Sequence, residues 1–361
     1  MENSRKEFPI LKHHIYANTA ACGILSNGLL EWRQEHDLDF LIGGSAIKNN
    51  AFKVITETRK TVGNFFGCLP DNVALIPNFS LGFNMLLEGL DKKNNILLLE
   101  KDYPSVLWPV ERKGFQVFYV KITEKLEDSI YQKIKNESID VLAISLVQWL
   151  NGIQIDLNFL KKLKLEFPNL IIIADGTQFC GTTNFNFETS AIDVLGASAY
   201  KWLLAGNGNG FMLFKEEIKK HFSLNFTGFN AASGDEAKKE KIAFVKHFEP
   251  GHLDSFNFGS LNYSLKFLSK IGIDAIEKQN KILSKFAFAA FSKLNVLEEV
   301  VFNRKNHSTI FNIKGDDKLY HNLADANIIC SLRGNGIRFG FHFYNTTKNI
   351  EKIVDVIKKT K

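Results

Sequence analysis

Cysteine is scarce in this chain and shows no pairing pattern. Cys22, Cys68, Cys180 and Cys330 lie far apart, with no CxxC among them. That spacing argues against a disulfide framework and a structural zinc site, and for a reducing compartment. Long apolar runs are missing too, since none reaches the ~18 uncharged residues needed to cross a bilayer. The amino-terminal stretch MENSRKEFPILKHH has no apolar signal core. A cytoplasmic protein without membrane segments is therefore expected. Nor is there a large excess of one charge: 45 basic residues against 39 acidic ones leave +6. The densest basic stretch, AKKEKIAFVK (237–246), contains a Glu and no interleaved aromatics. It reads as a solvated face, so no nucleic-acid partner is expected. His13, His14 and His342 have no partners at metal-ligand spacing, and no metal site is expected. Internal repeats and low-complexity tracts are absent.

What is present is an ordinary globular composition, 45% hydrophobic, with 32 Phe to fill cores. A length of 361 residues exceeds what one core usually supports and suggests two domains. NILLLE (95–100), VLAIS (141–145) and LIIIAD (170–175) are continuous apolar runs, expected of parallel strands buried on both faces. QVFYVKI (116–122) and GFMLF (210–214) are further strand candidates. LNFLKKLKLEF (157–167) has helical spacing, and strands alternating with such segments predict an α/β domain. Residues 225–254 are richer in polar and turn residues and read as a loop or rim. The helical pattern then resumes in YSLKFLSKIGIDAIEKQNKILSKFAFAAF (263–291).

One segment stands out. In GASAYKWLLAG (196–206) a single lysine, Lys201, sits among apolar neighbours, where a charge needs a reason. Ligands of open α/β sheets bind beyond the carboxyl ends of the strands. LIIIAD delivers Asp175 to such an end, Gln178 follows in the turn DGTQ, and Ser198 lies three residues before Lys201. An acid, a hydroxyl and a desolvated lysine suit pyridoxal phosphate (PLP). That cofactor needs a lysine amine for its Schiff base, an acid at its pyridine nitrogen, and donors for its phosphate. Burial would favour the neutral, nucleophilic amine of Lys201. The plainer readings are a snorkelling Lys201, Asp175 as turn chemistry, and Ser198 as an N-cap to a helical turn at WLL. GNGNG (206–210) lacks the G-x-G-x-x-G pattern and reads as a tight turn before a strand.

DGTQ followed by SAYKWLLAGNGNGFMLF resembles the class V aminotransferase family, the PLP fold type I group that includes cysteine desulfurases, kynureninase-like hydrolases and epimerase-like members. The resemblance runs from HHIYANTAACG (13–23) to IRFGFHFYNT (337–346). It implies a large domain with a mostly parallel seven-stranded sheet flanked by helices, at 16–250. A smaller α+β domain, formed by 1–15 and 251–361, would complete the chain. It implies further that Lys201 carries the cofactor, that Asp175 pairs with the pyridine nitrogen, and that Gln178 bonds the phenolic oxygen. Ser198 would bind phosphate, together with the backbone N–H groups of Phe79 and Ser80 and the Ser80 hydroxyl, where IPNFSLGFNMLLEGL (76–90) resembles the family's T-x-A-x-N turn. Tyr103 would stack on the ring, and Arg338 would hold a substrate carboxylate with its guanidinium fork. The chain departs from the family at three places. Tyr200 stands where His is usual, its hydroxyl a substitute phosphate ligand. Trp149, preceded by Gln148, stands where Asn is frequent. GHLDSFNFGS (251–260) replaces G-T-x-N, with His252 a candidate for the partner-subunit contact.

Desulfurase relatives carry a reactive Cys on a loop just before the last arginine. Here only GNGI separates Arg333 from Arg338, and Cys330 precedes both, so desulfurase chemistry is disfavoured. The expectation is an aminotransferase-like enzyme acting on a small amino acid, working as a homodimer. The alternatives are an epimerase-like enzyme, a β-lyase or hydrolase, and a catalytically silent PLP-fold protein.

Overall fold

The computed structural model describes residues 2–304 and 306–360. The main sheet has seven strands. They are β2 (Val73–Ile76), β3 (Asn95–Leu99), β4 (Gln116–Val120), β5 (Val141–Ser145), β6 (Ile171–Asp175), β7 (Val194–Ser198) and β8 (Gly210–Phe214). Ahead of them in the chain, β1 is the short Ile15–Tyr16. The sheet order is β2-β8-β7-β6-β5-β3-β4, parallel throughout except for β8, which runs antiparallel to both its neighbours. The mostly parallel seven-stranded sheet is as expected.

The uninterrupted apolar runs follow from burial on both faces. Leu97, Leu99, Leu142, Ile144, Ile172 and Ala174 enter one core; Ile96, Leu98, Val141, Ala143, Ile171 and Ile173 enter the other. Successive side chains point to opposite faces, so every position must be apolar when helices cover both. VALI and VLGAS, which supply β2 and β7, were not expected as strands; they are short, and VLGAS holds a glycine and a serine. The helix read at 157–167 spans Leu157–Glu166. The helical stretch at 263–291 is two helices, Ser255–Ile271 and Ile273–Lys293, broken at Gly272 with φ +93°.

A second sheet is built from β9 (Ile310–Lys314), β11 (Ser331–Arg333) and β12 (Gly336–Gly340), antiparallel in the order β11-β12-β9. Between β9 and β11, β10 (Ile328–Ile329) pairs in parallel with β1. Helices Asp317–Asp325, Ile273–Lys293 and Thr347–Thr360 accompany this sheet, while Ser255–Ile271 packs on helices Lys48–Phe66 and Asn27–Gly43. No helix among the described residues is long and apolar enough to cross a membrane.

Candidate active site

Five strands of the main sheet, β2, β7, β6, β5 and β3, run the same way, and each carries a site residue just beyond its carboxyl end. That is where an open α/β sheet leaves a crevice, because the loops there diverge. Asp175 ends β6 and Gln178 follows in the turn. Ser198 ends β7, with Tyr200 and Lys201 after it. Gln148 and Trp149 follow β5, and Asp102 and Tyr103 follow β3. Beyond β2, helix Phe79–Glu88 begins behind Asn78, whose side chain accepts from the Leu81 N–H. Its first turn holds Phe79 and Ser80. Arg338 arrives from β12 of the second sheet and donates from Nη1 to the Trp149 carbonyl (2.7 Å). The ten residues expected at the site therefore converge on one end of the sheet and the adjoining hairpin.

Lys201 is 5% exposed, and Asp175 is equally buried. Burial holds the lysine amine down to about 8, against a smaller opposing effect of Asp175; Arg338 and Arg333 push it in the same direction as burial. Burial raises the Asp175 carboxyl to about 6, although Thr177 donates to it and Lys201 lies close by. The Thr177 N–H donates to Oδ1 of Asp175 (2.8 Å), and its hydroxyl accepts from the Ser198 N–H (3.1 Å). Thr177 thus ties the ends of β6 and β7 together. The Lys201 Nζ lies 5.5 Å from the Tyr103 ring centroid and 5.3 Å from that of Tyr200. Burial raises the Tyr200 hydroxyl, leaving it a neutral donor and acceptor.

The other polar groups are partnered in part. Gln178 accepts from Trp202 Nε1 (2.7 Å) and donates from Nε2 to the Ala20 carbonyl (3.0 Å), which leaves one amide hydrogen free. The Phe79 N–H donates to Ser198 Oγ (2.9 Å), and Ser80 Oγ to Ser105 Oγ (2.7 Å). Ser198 is the last residue of β7 with no helix behind it, so the capping reading of that residue falls. Among the described residues, the buried donors without a hydrogen-bond acceptor include three at the site, Gln148 Nε2, Trp149 Nε1 and Arg338 Nε, as well as Arg304 Nε away from it. Orphaned buried donors are rare unless a ligand completes them. His252 stacks on Phe229 (5.2 Å between centroids) beside Phe52.

The turn carrying Lys201 is braced from three directions. His342, held neutral by burial with its ring pushed down to about 3, donates from Nε2 to the Trp202 carbonyl (3.0 Å). Ser264 donates to the Leu204 carbonyl, and Arg33 to that of Ala205. Leu204 has φ +57°, a conformation costing about 1–3 kcal/mol for a non-glycine residue, and these contacts hold it there. The Gly23 N–H donates to the Tyr200 carbonyl (2.8 Å), and a Cβ at Gly23 would stand 2.1 Å from the Lys201 carbonyl oxygen. Gly23→Ala is therefore expected to displace the turn at a cost of roughly 1–3 kcal/mol. A lowered urea midpoint would show it, and an unchanged midpoint would contradict the close approach.

Asp102 was not expected. Its buried carboxylate accepts from the Tyr103 N–H (2.7 Å) and the Ser145 N–H (2.9 Å), joining the ends of β3 and β5, and burial raises its carboxyl. The rule that found Asp175 would have found it, since it lies three residues past a strand end. Cys22 was counted only as a scattered thiol. It is exposed, and Lys201 is near enough to pull its thiol down against the larger upward effect of burial. Cys330 lies buried between β10 and β11, with its thiol raised to about 12.

Donors at a helix start, a desolvated amine and a buried carboxylate fit the phosphate, aldehyde and ring nitrogen of PLP. The protein-family model "Aminotransferase class-V" matches residues 43–353. A probable cysteine desulfurase of Pyrococcus abyssi is 23% identical over 392 residues, covering 99% of this chain and 97% of that protein. The apo structure of a cysteine desulfurase from Thermococcus onnurineus NA1 superposes with a TM-score of 0.86 at 20% identity, covering 99% of this chain and 97% of the other. A lysine-to-alanine variant of C-DES with glycine covalently linked to its PLP cofactor gives 0.86 at 17%, covering 97% and 98%. With the match spanning most of its length, this chain belongs to the class V aminotransferase family, as an enzyme whose cofactor is pyridoxal phosphate.

Proposed function

We propose that the enzyme transfers the amino group of a small amino acid, with Lys201 as the residue that carries the cofactor and moves the substrate proton. The carrying observation is a lysine amine held near neutrality by burial, at a strand end beside a buried carboxylate. PLP, when bound, supplies an aldehyde for amines and a protonated ring that withdraws electron density from the substrate Cα.

The chain's own residues do the rest. Asp175 would hold the cofactor's ring nitrogen and keep it protonated. Gln178, with its remaining amide hydrogen, and Gln148, whose side chain also acts on the Asp102 carboxyl, would donate to the phenolic oxygen. Ser198, Tyr200, Ser80 and the N–H groups of Phe79 and Ser80 take the phosphate; Ser198 and Phe79 give up their mutual bond to do so. Tyr103 would lie against the cofactor ring. Arg338 binds the substrate carboxylate, its guanidinium held by Trp149. With its amine free, Lys201 Nζ would take the proton from the substrate Cα as general base and deliver it to the cofactor's aldehyde carbon as general acid. The large domain at 16–250, the small one at 1–15 and 251–361, a cytoplasmic location and a homodimer belong to the same proposal.

The amine sets a pH dependence. At pH 7 about a tenth of Lys201 is neutral, against roughly one in three thousand for an ordinary lysine. The rate of covalent cofactor capture should rise tenfold per unit below pH 8 and level off above it. Borohydride reduction, followed by peptide mass spectrometry, should place the cofactor on Lys201. Attachment elsewhere, or a capture rate flat between pH 6 and 9, would sink the assignment.

A second reading, release of sulfur from cysteine, is favoured by the names of the relatives and by the exposed Cys22. Against it, the β11–β12 turn has only Gly334 and Asn335 between paired Arg333 and Gly336, which leaves no loop for a reactive thiol. Product analysis separates the two. Keto acid from a panel of amino acids supports transfer, whereas alanine and sulfane sulfur from L-cysteine, the sulfur recovered as sulfide when dithiothreitol is added as reductant, support the second reading.

A further inference from the structure

The hairpin that brings Arg338 to the site carries a second arginine on the same face. Ser331 pairs with Arg338 across β11 and β12, and Arg333 lies two residues beyond Ser331. Side chains two apart share a face, so Arg333 is the diagonal neighbour of Arg338, at a backbone spacing of about 7–8 Å. Opposite Arg333 is Gly336, which has no side chain to offer it, and Asn312 pairs with Arg338 from β9. That face of the hairpin therefore carries two guanidiniums, while Ser331 donates to Asn18 Oδ1 and Asn312 Nδ2 to the Arg333 carbonyl. Among the described residues neither arginine has an ion-pair partner.

Two like charges on one small face repel, and an anion drawn between them relieves that repulsion. Arg338 is 97% buried, spends one N–H on the Trp149 carbonyl and leaves Nε without an acceptor. Trp149 adds a buried indole N–H in the same state, with its ring edge-on to Tyr103 (5.9 Å). Gly334, at the hairpin turn, rests on the Leu150 side chain, which seats the hairpin on the turn after β5. Arg333 is exposed at the rim of this cluster. Its charge reaches both Lys201 and Arg338, consistent with the placement. The phosphate donors belong to other elements, the start of helix Phe79–Glu88 and the end of β7. A simple amino acid brings one carboxylate, which Arg338 alone accommodates.

We propose that the substrate is an amino acid with an acidic side chain, its α-carboxylate on Arg338 and Trp149 Nε1 and its second carboxylate on Arg333. The inference rests on the proposed function above and adds the substrate class. It also gives Arg333 a role in choosing substrate that chemistry at Lys201 does not need.

The test uses the full-length enzyme loaded with PLP and titrates the visible absorbance of the bound cofactor with four probes: L-aspartate, L-glutamate, L-asparagine and L-glutamine. Each acid should half-saturate at a concentration at least about tenfold lower than its amide, the effect of one charge-assisted contact. In Arg333→Gln that preference should shrink below about threefold, through weaker binding of the acids alone. Arg333→Lys should restore part of it, keeping the charge without the planar fork. Equal half-saturation by acid and amide in the native enzyme overturns the inference and leaves the function standing. So does an Arg333→Gln variant that weakens both alike. No spectral response to any of the four overturns the inference alone; the proposed function falls with it only if a wider panel of small amino acids, titrated the same way, is silent too.

Discussion

Lys201→Ala is expected to lower amino-group transfer by at least about 10³-fold, in the upper range for loss of a positioned acid–base group. Two losses combine in that number. In the proposed mechanism the substrate proton has no other acceptor at that position, because Asp175 would be occupied by the ring nitrogen and burial holds the Tyr200 hydroxyl protonated. The cofactor also loses its covalent anchor, so borohydride should fix none of it to the protein, and gel filtration should strip what remains. The fold should survive, because the variant removes a charge that burial disfavours, as the lowering of its amine to about 8 records. Unchanged circular dichroism together with lost turnover is the expected pair of results. A variant that kept activity, or stayed covalently labelled by PLP, would remove Lys201 from the mechanism.

Asp175→Asn is expected to lower turnover by about 10²–10³-fold, the size of effect seen when a preorganised electrostatic contact is removed from a place where charge develops. Here the cofactor should still attach to Lys201, so labelling and turnover separate. That separation distinguishes a role at the ring nitrogen from a role in folding. A second readout comes from linkage. The buried carboxyl of Asp175 titrates near 6 in the folded chain, against an ordinary value of 3.8. Between those values the folded chain holds a proton that the unfolded chain has lost. This group therefore makes the apoprotein less stable as pH rises from 3.8 to about 6, with the full penalty present above that. Asparagine cannot ionise, so the difference in urea midpoint between variant and native apoprotein should grow in favour of the variant across that window. A constant difference would mean that Asp175 is solvated and unperturbed. Turnover equal to the native enzyme would mean that the ring nitrogen has another partner.

Much of this was legible because several signals were local. The runs at β3, β5 and β6 announce a sheet buried on both faces, since only that environment asks for apolar residues at every position. Asp175, Gln178, Ser198 and Lys201 fall within one strand–turn–strand stretch, so their spacing alone suggested one site. β7 itself was harder to see, because Gly196 leaves its side-chain space to the Phe79 ring and Ser198 is a polar residue that accepts from the Phe79 N–H. The break at Gly272 was also missed, since helical periodicity continues almost in phase across it.

Residues whose roles depend on contacts between distant segments were out of reach. Asp102 could be read as an acid near a strand end, but its tie to β5 through the Ser145 N–H exists only once β3 and β5 lie side by side. Cys22 read as one of four scattered thiols, and only the approach of Gly23 to the Lys201 carbonyl places it beside the site.

The amino-acid sequence by itself determined the class of fold, the carboxyl-end location of the site, and the lysine and acid that suit pyridoxal phosphate. Each of these follows from periodicity or from short spacing along the chain. Tertiary structure decided how far those groups are desolvated, and so that an amine can be near neutrality and a carboxyl can resist ionising. It also decided which donors are left without acceptors, and that Arg333 and Arg338 share one face of a hairpin seated over Trp149. Burial and pairing are properties of segments far apart in the chain, which is why they emerge only when the two sheets come together.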